Sequence, residues 1–96
     1  MSRLLDEAEI SRQLESLGDW SRRAAEITAT YELADFAGAL AFVNRVGQAA
    51  EEMDHHPDID IRWNTVTLVL STHSEGGLTQ LDIELAHRIS EEAEPR

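Results

Sequence analysis

Apolar residues recur every three or four positions in three stretches of the chain, and this spacing predicts three amphipathic helices. Asp6 and Glu9 stand where a capping box begins a helix, and Gly18 stands where a left-handed residue would end it. The predicted helices are about residues 6–17, about residues 35–53 with Asp35 as N-cap, and a third that begins after Thr79.

The second helix has the longest apolar stripe, and we expect its larger members to lie in the core rather than in a cofactor site. Gly47 in its interior costs about 1 kcal/mol relative to alanine, which indicates either close packing or simple tolerance there. The stripe consists of Phe36, Leu40, Val43, Val46 or Gly47, Ala50 and Met53.

Other stretches alternate apolar and polar residues with a period of two, which is typical of strands with one buried face. They are residues 25–33, 59–63 and 66–71, with a further short extended piece at Trp20. The last two stretches are joined by a short turn and predict an antiparallel hairpin. The order of elements predicts an α+β fold, with an antiparallel sheet of three to four strands and three helices packed on one face.

The length and composition favour one small domain. A chain of 96 residues buries enough surface for one core, so we expect a single domain over residues 1–96. The absence of cysteine excludes disulfides and thiolate metal sites. No run approaches the ~20 apolar residues of a membrane helix, and acidic residues near the N-terminus argue against a signal peptide. These features favour the cytoplasm.

The charge balance limits the possible partners. A net charge of −11 with only 8 Lys and Arg argues against nucleic acid, since phosphate binding depends on clustered basic residues. The negative electrostatic potential that this net charge produces also disfavours polyanionic ligands. A neutral small molecule or a protein surface is the favoured partner.

The densest chemistry lies in the sequence Asp-His-His-Pro at 54–57, where a helical pattern gives way to a strand pattern. Pro57 disfavours a helical backbone at His56, so the helix must end by the histidine pair. His73 closes the second strand of the hairpin. Because the unperturbed pKa of histidine is about 6.5, such residues are suited to acid–base chemistry near neutral pH.

Seven residues at fixed spacing resemble the active-site signature of the pterin-4a-carbinolamine dehydratases. They are Glu51, His55, His56, Pro57, Trp63, His73 and Asp82. The resemblance extends more weakly over nearly the whole chain. Gly47, where the family more often has alanine, is the main departure and lies outside the signature.

The resemblance implies a lyase that dehydrates 4a-hydroxytetrahydropterin to quinonoid dihydropterin, with no metal and no cofactor. It implies tetrahydropterin recycling linked to an aromatic amino acid hydroxylase, and a homodimer or homotetramer. By the family pattern, His55, His56 and His73 are the catalytic residues, and which is acid and which is base stays open. The implied substrate-binding residues are Glu51, Trp63 and Asp82, and Pro57 is structural at the site.

Several signature residues also have structural interpretations. Asp82 occupies the third position of the last helix, where it would complete a capping box with Thr79. Trp63 is at least as typical of a core as of a ligand-binding wall. Glu51 is as typical of a solvated helix face as of a substrate-binding residue. His87, outside the pattern, is expected on the surface.

Two other functions compete with catalysis. A metal site would recruit the three histidines with Asp54 or Asp58, but adjacent histidines rarely point to one metal, and the helical His-x-x-x-His spacing is missing. The second alternative is a non-catalytic assembly or dimerisation partner protein, since relatives with eroded signatures have such roles. The intact signature favours catalysis.

Overall fold

A computed structural model describes residues 3–93 of the chain. Its helices are α1 Glu7–Leu14, α2 Phe36–Met53 and α3 Gln80–Ala93, and its strands are β1 Ser21–Arg23, β2 Glu26–Glu32, β3 Asp58–Arg62 and β4 Thr65–Leu70. A short 3-10 helix, His73–Glu75, lies between β4 and α3. The predicted α+β fold is therefore confirmed, and the extended piece near Trp20 is the short strand β1.

The four strands form one antiparallel sheet in the order β1-β2-β4-β3. Ile27 pairs with Leu70 and Ala29 with Leu68, and all four side chains are buried on the same face. The intervening Thr28 and Thr30 point to the other face, as the period of two requires. The sheet thus has one buried face, on which the helices pack.

The buried apolar residues of 3–93 form one hydrophobic cluster that joins the sheet to all three helices. The prediction of a single domain over 1–96 extends to residues 1–2 and 94–96, which lie outside the described residues, and it stays a prediction. None of the helices within 3–93 combines the length and the apolar character needed to cross a bilayer.

The first helix begins as predicted but is shorter. Asp6 and Glu9 form the complete capping box. The helix ends at Leu14, and Gly18 is not in the left-handed conformation, so the prediction of a helix to 17 closed by Gly18 is wrong. Leu17 reaches the core through a tight turn, in which its N–H donates to the Leu14 carbonyl at 3.0 Å. A turn can maintain helical spacing of apolar residues without extending the helix.

The second helix has the predicted bounds and the predicted Asp35 cap, whose carboxylate accepts from the Gly38 N–H at 2.7 Å. Its predicted core face is partly wrong, because Phe36 and Leu40 are 44% and 41% exposed. Small alanines allow α2 to approach its neighbours closely, and they take positions that the larger residues were expected to fill. The buried residues of α2 are Ala39, Phe42, Val46, Ala49 and Ala50.

Candidate active site

The end of α2 determines the direction of the histidine pair. Asp54 adopts the left-handed conformation with φ of 49°, and the N–H of His55 returns to the Ala50 carbonyl at 3.1 Å. This closed end turns the chain sharply, so that His55 is buried while His56 is exposed. Pro57 then leads into β3, and the predicted end of the helix by the histidine pair is confirmed.

His55 pairs with Asp82 of α3. The His55 Nε2 lies 2.6 Å from the Asp82 Oδ1, and only 9% of His55 is exposed. Asp82 is completely buried. With Asp82 ionised, its oxygens only accept, so the Nε2 of His55 carries the hydrogen and the Nδ1 of the neutral ring is free to accept a proton.

Two further donors satisfy the second oxygen of Asp82. The Oδ2 accepts from the Thr79 N–H at 2.9 Å and from the Thr72 hydroxyl at 2.7 Å. The Thr79 bond is one half of the predicted capping box. Because a buried carboxylate without partners is very unfavourable, these bonds allow Asp82 to remain inside the core. Asp82 therefore makes the capping bond that its sequence position predicts, and it also contacts His55.

His56 and Glu51 form a second, solvent-facing pair. The His56 Nε2 lies 2.6 Å from the Glu51 Oε2, with side chains that are 54% and 77% exposed. Water and salt screen such a pair, so its contribution to stability is small. The pair orients the His56 ring at the end of α2.

A hollow of about 400 Å³ opens beside His55. Met53 and Leu81 supply its apolar wall, and Asp54, Thr72, Ser74 and Glu75 supply the remaining polar wall. His73 is exposed and lies in the chain between two of these residues. Among residues 3–93, the lining contains two carboxylates and no Lys or Arg, so it favours neutral or cationic ligands over anionic ones.

The predicted site residues do not all meet at this hollow. His55 lines it, Asp82 lies behind His55, and His73 follows the lining residue Thr72. His56 and Glu51 face solvent at the adjoining helix end and are not part of the lining. Of the three imidazoles, one lines the hollow in this conformation.

The structure corrects the predicted placement of Trp63. Its backbone lies in the turn between β3 and β4 with φ of 54°, and 67% of the residue is exposed. The ring stacks on Phe36, with centroids 6.4 Å apart. The histidines adjoin the opposite end of this hairpin, so Trp63 is neither core nor a wall of the hollow in one chain. The run of alternating residues misled the prediction because it continues into the turn.

The resemblance implies that Asp82 binds substrate. In the structure Asp82 has no exposed surface, and its contact toward the hollow is with His55. Sequence reasoning missed Thr72 at the site. Its signal was the alternation of β4, which places Thr72 in phase with the buried Leu68 and Leu70 and therefore inside.

The metal alternative needs three ligand side chains in one place. Within residues 3–93, no three His, Asp or Glu side chains are grouped so that they could hold a metal ion. Asp54 and His55 line the hollow, whereas Asp58 begins β3.

Comparison with known proteins identifies close relatives. Residues 3–92 match the sequence model of a family described as pterin 4 alpha carbinolamine dehydratase. A protein of Nocardia farcinica (strain IFM 10152) is 53% identical over 88 residues, which cover 92% of this chain and 93% of that protein. A protein of Roseiflexus castenholzii (strain DSM 13941 / HLO8) is 52% identical over 91 residues, covering 95% and 98%. Both bear the name "Putative pterin-4-alpha-carbinolamine dehydratase".

Two solved structures are similar in fold. The crystal structure of a transcriptional coactivator/pterin dehydratase from Brucella melitensis has a TM-score of 0.92 and 34% identity, over 96% of this chain and 100% of that one. A pterin dehydratase-like protein identified as a RuBisCO assembly factor in the alpha-carboxysome has a TM-score of 0.65 and 18% identity, over 80% and 89%. The second likeness concerns the fold alone.

Proposed function

The chain belongs to the pterin-4a-carbinolamine dehydratase family, and from this membership we propose that it is a hydro-lyase acting on 4a-hydroxytetrahydropterins. The reaction removes water and leaves the quinonoid dihydropterin. The observation that supports it most directly is the buried 2.6 Å hydrogen bond between His55 and Asp82, beside a hollow of about 400 Å³. That volume is within the range of small-molecule sites.

The reaction needs two proton transfers. The C4a–O bond breaks as a proton reaches the departing hydroxyl, and loss of the N5 proton allows the C4a=N5 double bond to form. The base gains one proton and the acid loses one, so the sum of the steps releases only water. Imidazoles can fill both roles near neutral pH.

The contacts of His55 and His56 and the position of His73 support different roles for the three histidines. His55 accepts the ring proton through Nδ1, because its Nε2 is committed to Asp82, whose charge stabilises the imidazolium that forms. His73, between two residues that line the hollow, donates to the departing hydroxyl. His56, held by Glu51, assists proton exchange at the open side.

The test is a stopped-flow assay of 4a-carbinolamine decay with purified protein. His55→Ala is expected to lower the rate by at least about 100-fold, the usual contribution of a general base, and His56→Ala and His73→Ala are expected to lower it strongly. His87→Ala is the matched control, since His87 is exposed on α3 and should leave the rate unchanged. Normal turnover in both His55→Ala and His56→Ala would refute the site assignment.

The same assay separates catalysis from the alternative function. A non-catalytic assembly or dimerisation partner would leave the decay at its spontaneous rate, even when the protein is folded and pure. Rate acceleration by the wild type that is lost in His55→Ala supports the enzyme.

We propose further that the protein is a homo-oligomer that supports an aromatic amino acid hydroxylase in the cytoplasm. Exposed apolar residues on α2 and beside β3 support self-association. β3 is also an edge strand, since β4 is its sole neighbour among the strands within residues 3–93. The link to a hydroxylase and the cytoplasmic location rest on the family alone.

A further inference from the structure

Thr72 is a buried hydroxyl at the point where β4 becomes the loop that bears His73. It is 7% exposed, and its N–H donates to the Gly77 carbonyl at 2.8 Å. Its own carbonyl accepts from the N–H groups of Glu75 and Gly76, each at 3.0 Å. The backbone of Thr72 is therefore fixed on both sides, and its side chain has a defined direction.

The hydrogen bonds around Thr72 have one consistent direction. An ionised carboxylate only accepts, so the single hydroxyl hydrogen of Thr72 goes to the Asp82 Oδ2 at 2.7 Å. The Thr79 hydroxyl, 2.8 Å from the Thr72 oxygen, must then be the donor in that pair. The order is Thr79 to Thr72 to Asp82, and each bond polarises the next.

This series of hydrogen bonds determines how the Asp82 carboxylate faces His55. The Oδ2 is occupied by the Thr72 hydroxyl and the Thr79 N–H, which leaves the Oδ1 for the His55 Nε2. Fixing the carboxylate plane also fixes the imidazole ring and keeps its hydrogen on Nε2. The Nδ1, the atom that would exchange protons with a substrate, is thereby held free.

We propose that Thr72 is a positioning residue for the dehydration, an inference that rests on the function proposed above. Thr72 joins two histidines that are far apart in sequence, because its hydroxyl orients the Asp82–His55 pair while its backbone anchors the loop that begins at His73. One residue thus fixes both the orientation of the His55 ring and the start of the loop that bears His73.

Two substitutions separate this role from a merely structural one. Thr72→Ser keeps the hydroxyl and should retain the wild-type rate and pH profile. Thr72→Val keeps the shape but leaves the Asp82 Oδ2 with one donor fewer and the Thr79 hydroxyl without its acceptor. Misalignment of a reacting group of this kind costs about 10- to 100-fold, so kcat should fall by that factor while KM changes by less than about twofold.

Imidazole nitrogen NMR provides a readout that does not depend on activity. In the wild type and Thr72→Ser, His55 should be a single Nε2–H tautomer; in Thr72→Val, it should become a mixture of the two tautomers. Urea unfolding establishes that each variant is folded. If Thr72→Val does not fold, Thr79→Val removes the other hydroxyl of the hydrogen-bond series, and we expect the same direction of change at His55.

The proposal is overturned if folded Thr72→Val has the wild-type kcat and an unchanged His55 tautomer. If the wild type lacks dehydratase activity but the His55 tautomer still changes in Thr72→Val, the proposed function is refuted and the positioning of His55 by Thr72 stands.

Discussion

Asp82 uses its two carboxylate oxygens for two purposes. The Oδ2 caps the first turn of α3 through the Thr79 N–H, and the Oδ1 holds His55 at 2.6 Å. A capping residue at the start of a helix is fixed by the backbone, which makes it a rigid support for the imidazole. The helix start and the candidate site therefore share one buried group, and loss of Asp82 would affect both.

Tyr31 allows a pH prediction at a single residue. Burial raises the pKa of Tyr31 from 10.0 to about 12, an effect larger than that of its hydrogen bonds with Ser90 and Asp19. Its folded pKa exceeds the unfolded value of about 10, so its contribution to stability is complete below pH ~10 and is lost as the pH rises to ~12.

The measurement is an ultraviolet titration near the tyrosinate band, which reports Tyr31 alone because the chain has one tyrosine. The native protein should titrate near 12 and the urea-unfolded protein near 10. Coincident midpoints would contradict the prediction.

Helix α2 packs in the core along most of its length and ends beside the candidate site. Its 18 residues lie between the Asp35 cap and the left-handed Asp54, which directly precedes the histidine pair. Its alanines pack closely, while Phe36 and Leu40 remain exposed. The position of His55 therefore depends on the whole helix.

Gly47 in α2 provides a test at the scale of this element. A Cβ added there would meet no atom within 4 Å, so the glycine is tolerated rather than required by close packing. Gly47→Ala should raise the free energy of unfolding by about 0.5–1 kcal/mol, because alanine restricts the unfolded chain more.

Urea unfolding followed by circular dichroism measures the change. Gly76→Ala is the contrasting control, since Gly76 has φ of +77° and alanine there should destabilise the fold by about 1–2 kcal/mol. No gain in stability for Gly47→Ala would indicate a strain that the packing does not reveal.

At the scale of the whole molecule, most of the large exposed apolar residues that the structure describes lie on α2 and on the β3–β4 hairpin. Within residues 3–93 they are Leu4, Phe36, Leu40, Ile59 and Trp63. Phe36 and Leu40 are one turn apart on α2, Phe36 stacks on Trp63, and Ile59 lies on the edge strand β3. Such a surface beside an unpaired edge is typical of a subunit interface.

Leu40→Glu should therefore convert a homo-oligomer to monomers, because it places a charge on this surface. Light scattering coupled to size exclusion should give a multiple of 10.7 kDa for the wild type and about 10.7 kDa for the variant. Leu4→Glu, on another exposed leucine that contacts the Gly77 region, is the control and should keep the wild-type mass. A monomeric wild type would refute self-association.

The sequence by itself determined what depends on neighbours along the chain. The period of apolar residues gave the order of elements, and the caps at Asp6 and Asp35 and the break before Pro57 located helix ends, since capping and proline effects act over a few residues. The placement of a histidine pair at a helix end followed from the same local rules.

The tertiary structure alone decided which distant groups meet. Asp82 and His55 are 27 positions apart and Thr72 and Asp82 are 10 apart, and no local pattern encodes their contacts. The same holds for Trp63, which local alternation assigned to a strand face but which the hairpin turn carries away from the hollow. Side-chain contacts between separate elements depend on how the elements pack, and packing is a property of the whole fold.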